Sequence, residues 1–129
     1  MDYAPEDSSK LILVIDSDQN DRLSIANALV RAGYDALVAS NGNQGLNLAE
    51  RERPDLIIAD LVVARRSGFL VIESLRMSES YPTRIVVLSS NNSETAKKYA
   101  EELGVDAYMS KPYVMQELLD TVERVLRED

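Results

Sequence analysis

"LILVIDSDQN", residues 11–20, runs five apolar residues straight into two carboxylates, Asp16 and Asp18, split by Ser17. Five apolar residues make a strand, and a run without alternation reads as one buried on both faces, as in a parallel sheet. Carboxylates at the end of such a strand repel one another and lose hydration, which points to a cation or a phosphate complex that uses them. Asp and Ser are also ordinary helix-capping residues, so "DSDQNDR" reads equally as the start of a helix toward Ala32. The rest of the chain decides between these readings.

The pattern recurs downstream. Residues 36–39, 56–59 and 85–88 are short apolar runs rich in β-branched residues, and 107–109 is a weaker fifth. Helix-sized segments lie between them. Residues 19–32 place Leu23, Ala26, Leu29 and Val30 at helical spacing and end in Gly33, a C-cap signal. Residues 44–53 carry Leu46 and Ala49 and stop before Pro54; residues 69–77 carry Leu70, Ile72 and Leu75. Residues 94–103 end in Gly104, and Met115–Arg127 carries Leu118, Leu119, Val122, Val125 and Leu126. Strand and helix thus alternate five times, the signature of an α/β fold with a parallel sheet and right-handed crossovers. In a doubly wound sheet the ligand lies outside the carboxyl ends of the strands, where strand order reverses.

Composition narrows the chemistry. The 129 residues suit one domain, with residues 1–9 as a short acidic, disordered lead and 10–129 as the folded unit. Cysteine and histidine are both absent, which excludes thiol nucleophiles, thiolate zinc sites, Ser-His-Asp triads and histidine metal ligands. Any metal must be a hard cation held by oxygen, with Mg²⁺ first among them. The net charge of -8 disfavours unaided binding to nucleic acid or anionic membrane. No apolar run approaches the roughly 20 residues of a membrane span, and the opening lacks a signal-peptide pattern, so a cytoplasmic location is expected.

The strand ends carry the chemistry. Asp16 follows the first strand, Asp60 closes "LIIAD", Ser89 follows "VVL", and Lys111 with Pro112 follows "YMS". Two carboxylates, a hydroxyl and an ammonium would share one edge of the sheet. That set suits phosphoryl transfer: Asp60 attacks phosphorus, Mg²⁺ between Asp16 and Asp60 offsets negative charge, and Lys111 and Ser89 hold the phosphoryl oxygens. Taken singly, Ser89 reads as a turn cap and Lys111 as a solvated loop lysine.

These motifs together resemble the receiver domain of two-component response regulators, from about Lys10 to Arg127: the acids of "IDSD", Asp60 in "PDLIIAD" with Gly68 eight residues on, Ser89, and Lys111-Pro112 in "SKPY". The resemblance implies a flavodoxin-like fold with strand order 2-1-3-4-5 and five helices. It implies a signalling module rather than an enzyme, with Asp60 as phosphoacceptor and a histidine kinase or histidine phosphotransfer protein as donor. It also implies a Ser89–Tyr108 switch that alters a surface for a downstream protein or an effector domain, with a homodimer open. Metal ligands would be Asp16, Asp60 and the Val62 backbone carbonyl.

Departures from the family pattern are informative. Ser17 stands where the family has a second metal-binding acid, and a neutral hydroxyl weakens a hard-cation site. Asp18, one residue on, helps through water or caps the helix. Ala64 replaces the usual proline of the following loop, and Arg65 and Arg66 add positive charge there. The competing reading is a phosphorylation-independent interaction module whose metal site has decayed at Ser17. A flavodoxin-like enzyme or nucleotide binder lacks support, because acids stand where a phosphate-cradling loop needs glycines.

Overall fold

A computed structural model of the chain describes residues 9–61, 67–77 and 83–128. Ten elements alternate: β1 (Leu11–Ile15), α1 (Gln19–Arg31), β2 (Asp35–Ala39), α2 (Gly42–Glu52), β3 (Leu56–Asp60), α3 (Gly68–Arg76), β4 (Arg84–Ser89), α4 (Glu94–Glu102), β5 (Ala107–Ser110) and α5 (Met115–Arg127). The strands form one parallel sheet in the order β2-β1-β3-β4-β5. This is the flavodoxin-like order, with its switch point between β1 and β3. Residues 1–8 of the expected lead lie outside the described residues, as do Val62, Ala64, Arg65 and Arg66.

The unbroken apolar runs are the central strands. Every residue of β3 is buried, as is each residue of β1 and β4 after the first, whereas edge strands β2 and β5 are mostly half-exposed. Successive strand residues serve opposite layers. Leu13 and Ile15 of β1 pack with Ala49 of α2 and Val71, Ile72 and Leu75 of α3. Ile12 and Val14 pack with Ile25 and Leu29 of α1 and Leu118, Val122 and Val125 of α5.

Three helix expectations need correction. Alpha-helix 1 buries Ile25, Ala28 and Leu29, while Leu23 and Val30 are exposed and Ala26 only half-buried. Both stripes have helical spacing, and the sheet takes the one carrying Ile25. Likewise in α3, Leu70 faces solvent and Val71 takes the buried place. Helix α2 starts at Gly42 rather than Gln44, because the Asn41 side chain accepts from the Gln44 N–H at 2.8 Å and caps the helix two residues earlier. Gly33 follows α1 with φ +102°, the left-handed backbone a helix stop requires.

Arg76, at the end of α3, holds the far side of the sheet together. Its guanidinium donates to the carbonyls of Thr83 at 2.9 Å, Leu103 at 2.9 Å and Gly104 at 2.8 Å. Helix α4 has no basic residue in its own last turn, so Arg76 supplies the charge its carboxyl end favours. Arg76→Met keeps the aliphatic stem and strands these three carbonyls; urea unfolding is expected to show a loss of about 2–3 kcal/mol.

Candidate functional site

The side chains at the strand ends converge on one ammonium. Lys111 Nζ donates to Asp16 Oδ2 at 2.8 Å, to Asp60 Oδ2 at 2.9 Å and to Asp21 Oδ2 at 3.1 Å. Asp16 and Asp60 are buried and the Lys111 side chain is nearly so, which makes these charge-assisted bonds stronger than surface pairs. Burial pushes the Lys111 ammonium toward neutrality, yet the hydrogen bonds and attraction of Asp16 and Asp60 outweigh it and hold its pKa above the ordinary lysine range. Lys111 is no solvated loop lysine.

Local structure sets each group in place. Asp16 Oδ1 accepts from the Asp18 N–H at 2.9 Å, and the Arg22 guanidinium donates to the Asp16 carbonyl at 2.9 Å, tying the start of α1 to the end of β1. The Asp18 side chain accepts from the Asp21 N–H at 2.9 Å and caps α1, so the capping reading holds for Asp18 while Asp16 belongs to the cleft. Asp60 is held from behind by Gly68, whose N–H donates to the Leu61 carbonyl at 3.1 Å. A Cβ at Gly68 would come within 2.5 Å of the Asp60 carbonyl and 2.7 Å of Leu61 Cα. Both obstacles are backbone, which explains a glycine eight residues after Asp60.

Ser89 and Tyr108 lie on β4 and β5. The Ser89 hydroxyl is fully buried and accepts from the Asn91 N–H at 3.0 Å, the turn-cap role. The Tyr108 hydroxyl donates to the Asn91 carbonyl. Asn91 therefore joins the two residues through one backbone unit, a link that no spacing in the sequence announces. Ser17 is exposed. A cavity of about 470 Å³ opens beside the cluster, lined by Asp21, Ser90, Lys111, Pro112, Tyr113 and Met115, so Lys111 can be approached from solvent.

No motif singles out Asp21, since "DSDQNDR" reads as helix-start chemistry. Its one signal is position: three residues after the Asp18 cap, it lies in the first turn of α1, above the end of β1. For a metal, the described residues bring no three acids close enough to chelate one ion. Asp16 and Asp60 offer a pair of carboxylates, which suits Mg²⁺: that ion keeps several waters and takes one or two carboxylates, whereas Ca²⁺ asks for six to eight oxygens. The Val62 carbonyl lies outside the described residues.

Comparison with known proteins agrees with this geometry. Residues 12–123 match the family described as response regulator receiver domain. The chain is 36% identical over 120 residues to the alkaline phosphatase synthesis transcriptional regulatory protein PhoP of Bacillus subtilis (strain 168), covering 92% of this chain and 49% of PhoP. It is 28% identical over 116 residues to Protein PilH of Pseudomonas aeruginosa, covering 89% of this chain and 96% of PilH. The chain spans about half the length of the first curated relatives it matches. Among solved structures, the chemotaxis response regulator CheY4 of Vibrio cholerae superposes with a TM-score of 0.85 at 29% identity, over 91% of this chain and 98% of that one.

Two variants test the site's construction. Lys111→Met removes the ammonium from between Asp16 and Asp60 and is expected to cost about 2 kcal/mol or more at pH 7, measured by urea unfolding. Because the folded pKa of Lys111 lies above its ordinary 10.5, its contribution is complete below that value and is lost only as pH rises through the folded one. The difference between wild type and Lys111→Met should therefore stay constant from pH 7 to 10. Gly68→Ala should cost about 1–3 kcal/mol by overpacking against the Asp60 backbone, read by thermal unfolding.

Proposed function

Because the chain belongs to the response regulator receiver domain family, we propose that Asp60 is its phosphoacceptor, charged by the phosphohistidine of a histidine kinase or histidine phosphotransfer protein. The observation that carries this reading is the Lys111 ammonium bonded to both Asp16 and Asp60 at adjoining strand ends. These 129 residues hold no histidine, so the donor imidazole lies outside them.

In the transfer, an Asp60 carboxylate oxygen attacks phosphorus, a P–O bond forms, the donor's P–N bond breaks, and the imidazole leaves with a proton from solvent. In this reading Lys111, bonded to Asp60, neutralises the charge that accumulates on the phosphoryl oxygens, and Ser89 ends the neighbouring strand, from which its hydroxyl turns toward them. Mg²⁺, when bound, supplies further neutralisation, and Asp16 and Asp60 are the side chains that would hold it. Ser17 adds no charge, so its affinity should be low.

The output follows from Asn91. If the Ser89 hydroxyl turns to a phosphoryl oxygen it no longer accepts from the Asn91 N–H, and the Asn91 carbonyl is what positions the Tyr108 hydroxyl. Release of that turn reshapes the surface made by α4, β5 and α5, where a downstream protein or an effector domain would bind. With a net charge of -8, that partner is a protein rather than nucleic acid contacted directly.

Incubation with acetyl phosphate and Mg²⁺, or with a cognate phosphohistidine protein, should add one phosphoryl mass to wild type and none to Asp60→Asn. An intact Asp60→Asn variant that is labelled equally would overturn the assignment. Ser17→Asp, which restores an acid beside Asp16, should tighten Mg²⁺ binding several-fold by calorimetry.

A further inference from the structure

Lys111 carries three ammonium protons and no acceptor, and each of three carboxylates takes a bond from it. The ammonium is therefore saturated. A phosphoryl oxygen arriving at Asp60 can bond to Lys111 only if one of these partners gives way. The three partners are not equal. The Asp16 and Asp60 side chains are 2% and 11% exposed and bond at 2.8 and 2.9 Å, whereas Asp21 is 42% exposed and bonds at 3.1 Å. Releasing a buried carboxylate from the ammonium costs more than releasing a half-exposed one, which is rehydrated at once. Asp21 also lines the cavity through which the cleft opens.

We propose that Asp21 is a positioning residue that acts as a placeholder for the phosphoryl group: it occupies the third proton of Lys111 in the resting state and yields it to a phosphoryl oxygen. Its carboxylate, from the first turn of α1, keeps the ammonium directed into the cleft and raises the threshold for phosphoryl occupancy by competing for that proton and by repelling the incoming anion. The chain therefore holds its phosphorylated state less tightly than its two buried acids and lysine alone would allow. This rests on the reading of Asp60 as phosphoacceptor.

The probe is beryllofluoride, a stable mimic of the aspartyl phosphoryl group, titrated at saturating Mg²⁺ so that cation uptake does not enter, with bound fluoride read by ¹⁹F NMR. Asp21→Asn should bind it roughly two- to fivefold more tightly than wild type, the range expected for a partly exposed ion pair. Asp21→Glu, which keeps the charge, should stay near the wild-type value, and the gap between wild type and Asp21→Asn should narrow at high ionic strength. A merely structural role for Asp21 predicts unchanged or weaker binding in Asp21→Asn, and either result overturns the placeholder. Asp60→Asn separates the two readings. If wild type and Asp60→Asn bind the probe alike, or neither binds, the phosphoacceptor reading falls and this one with it. If wild type binds, Asp60→Asn does not, and Asp21→Asn gains nothing, the placeholder alone falls.

Discussion

The ammonium of Lys111, placed between carboxylates from β1, β3 and α1, is the contact on which the rest of the structure turns. Asp16 and Asp60 are buried acids at the ends of adjoining parallel strands, and without a cation between them their mutual repulsion would oppose the β1–β3 pairing itself. Lys111 can reach them because β5, at one edge of the sheet, ends level with β4: the Lys111 N–H donates to the Ser89 carbonyl at 2.9 Å, continuing the ladder by one residue. Register across three strand pairs, rather than any single loop, therefore delivers the lysine to the acids.

The same constraint explains the glycine and the arginine at opposite ends of α3. Gly68 lets the amino end of that helix close on the Asp60 backbone, where a methyl group would collide with main chain. Arg76 anchors the carboxyl end to the carbonyls after α4 and before β4. Between them, α3 braces β3 from the edge that carries Asp60 to the far edge. On the other face the Asp18 cap and the Arg22–Asp16 contact do the same for α1, which is why a helix-start motif and part of the acid cluster share the same seven residues.

Much of the architecture was legible in the chain. Continuous runs such as "LIIAD" and "IVVLS" announced central strands, and five strand–helix alternations in so short a chain left few topologies. Asp16, Asp60 and Lys111 were identifiable because acids and a Lys-Pro pair abut strand ends. The errors have a physical cause. Alpha-helix 1 carries two apolar stripes of equal period, and periodicity cannot say which one the sheet will take. Asn41 extended α2 by a side-chain bond that residue spacing does not reveal. Asp21 and Asn91 act through contacts to residues far along the chain or through backbone groups, and neither leaves a motif.

The amino-acid sequence by itself determined the order of elements, the parallel sheet, the kind of chemistry open to a chain with neither cysteine nor histidine, and the acids and lysine that stand at the strand ends. These follow from local physics: strand and helix periods, burial of apolar runs, and the cost of a carboxylate beside them. Only the tertiary structure decided who bonds to whom. It gave Lys111 a third carboxylate from α1, left Asp18 to the cap and Ser17 to solvent, and joined Ser89 to Tyr108 through Asn91. Such pairings depend on sheet register and helix rotation, quantities set by the packing of the whole core and not by any stretch within it.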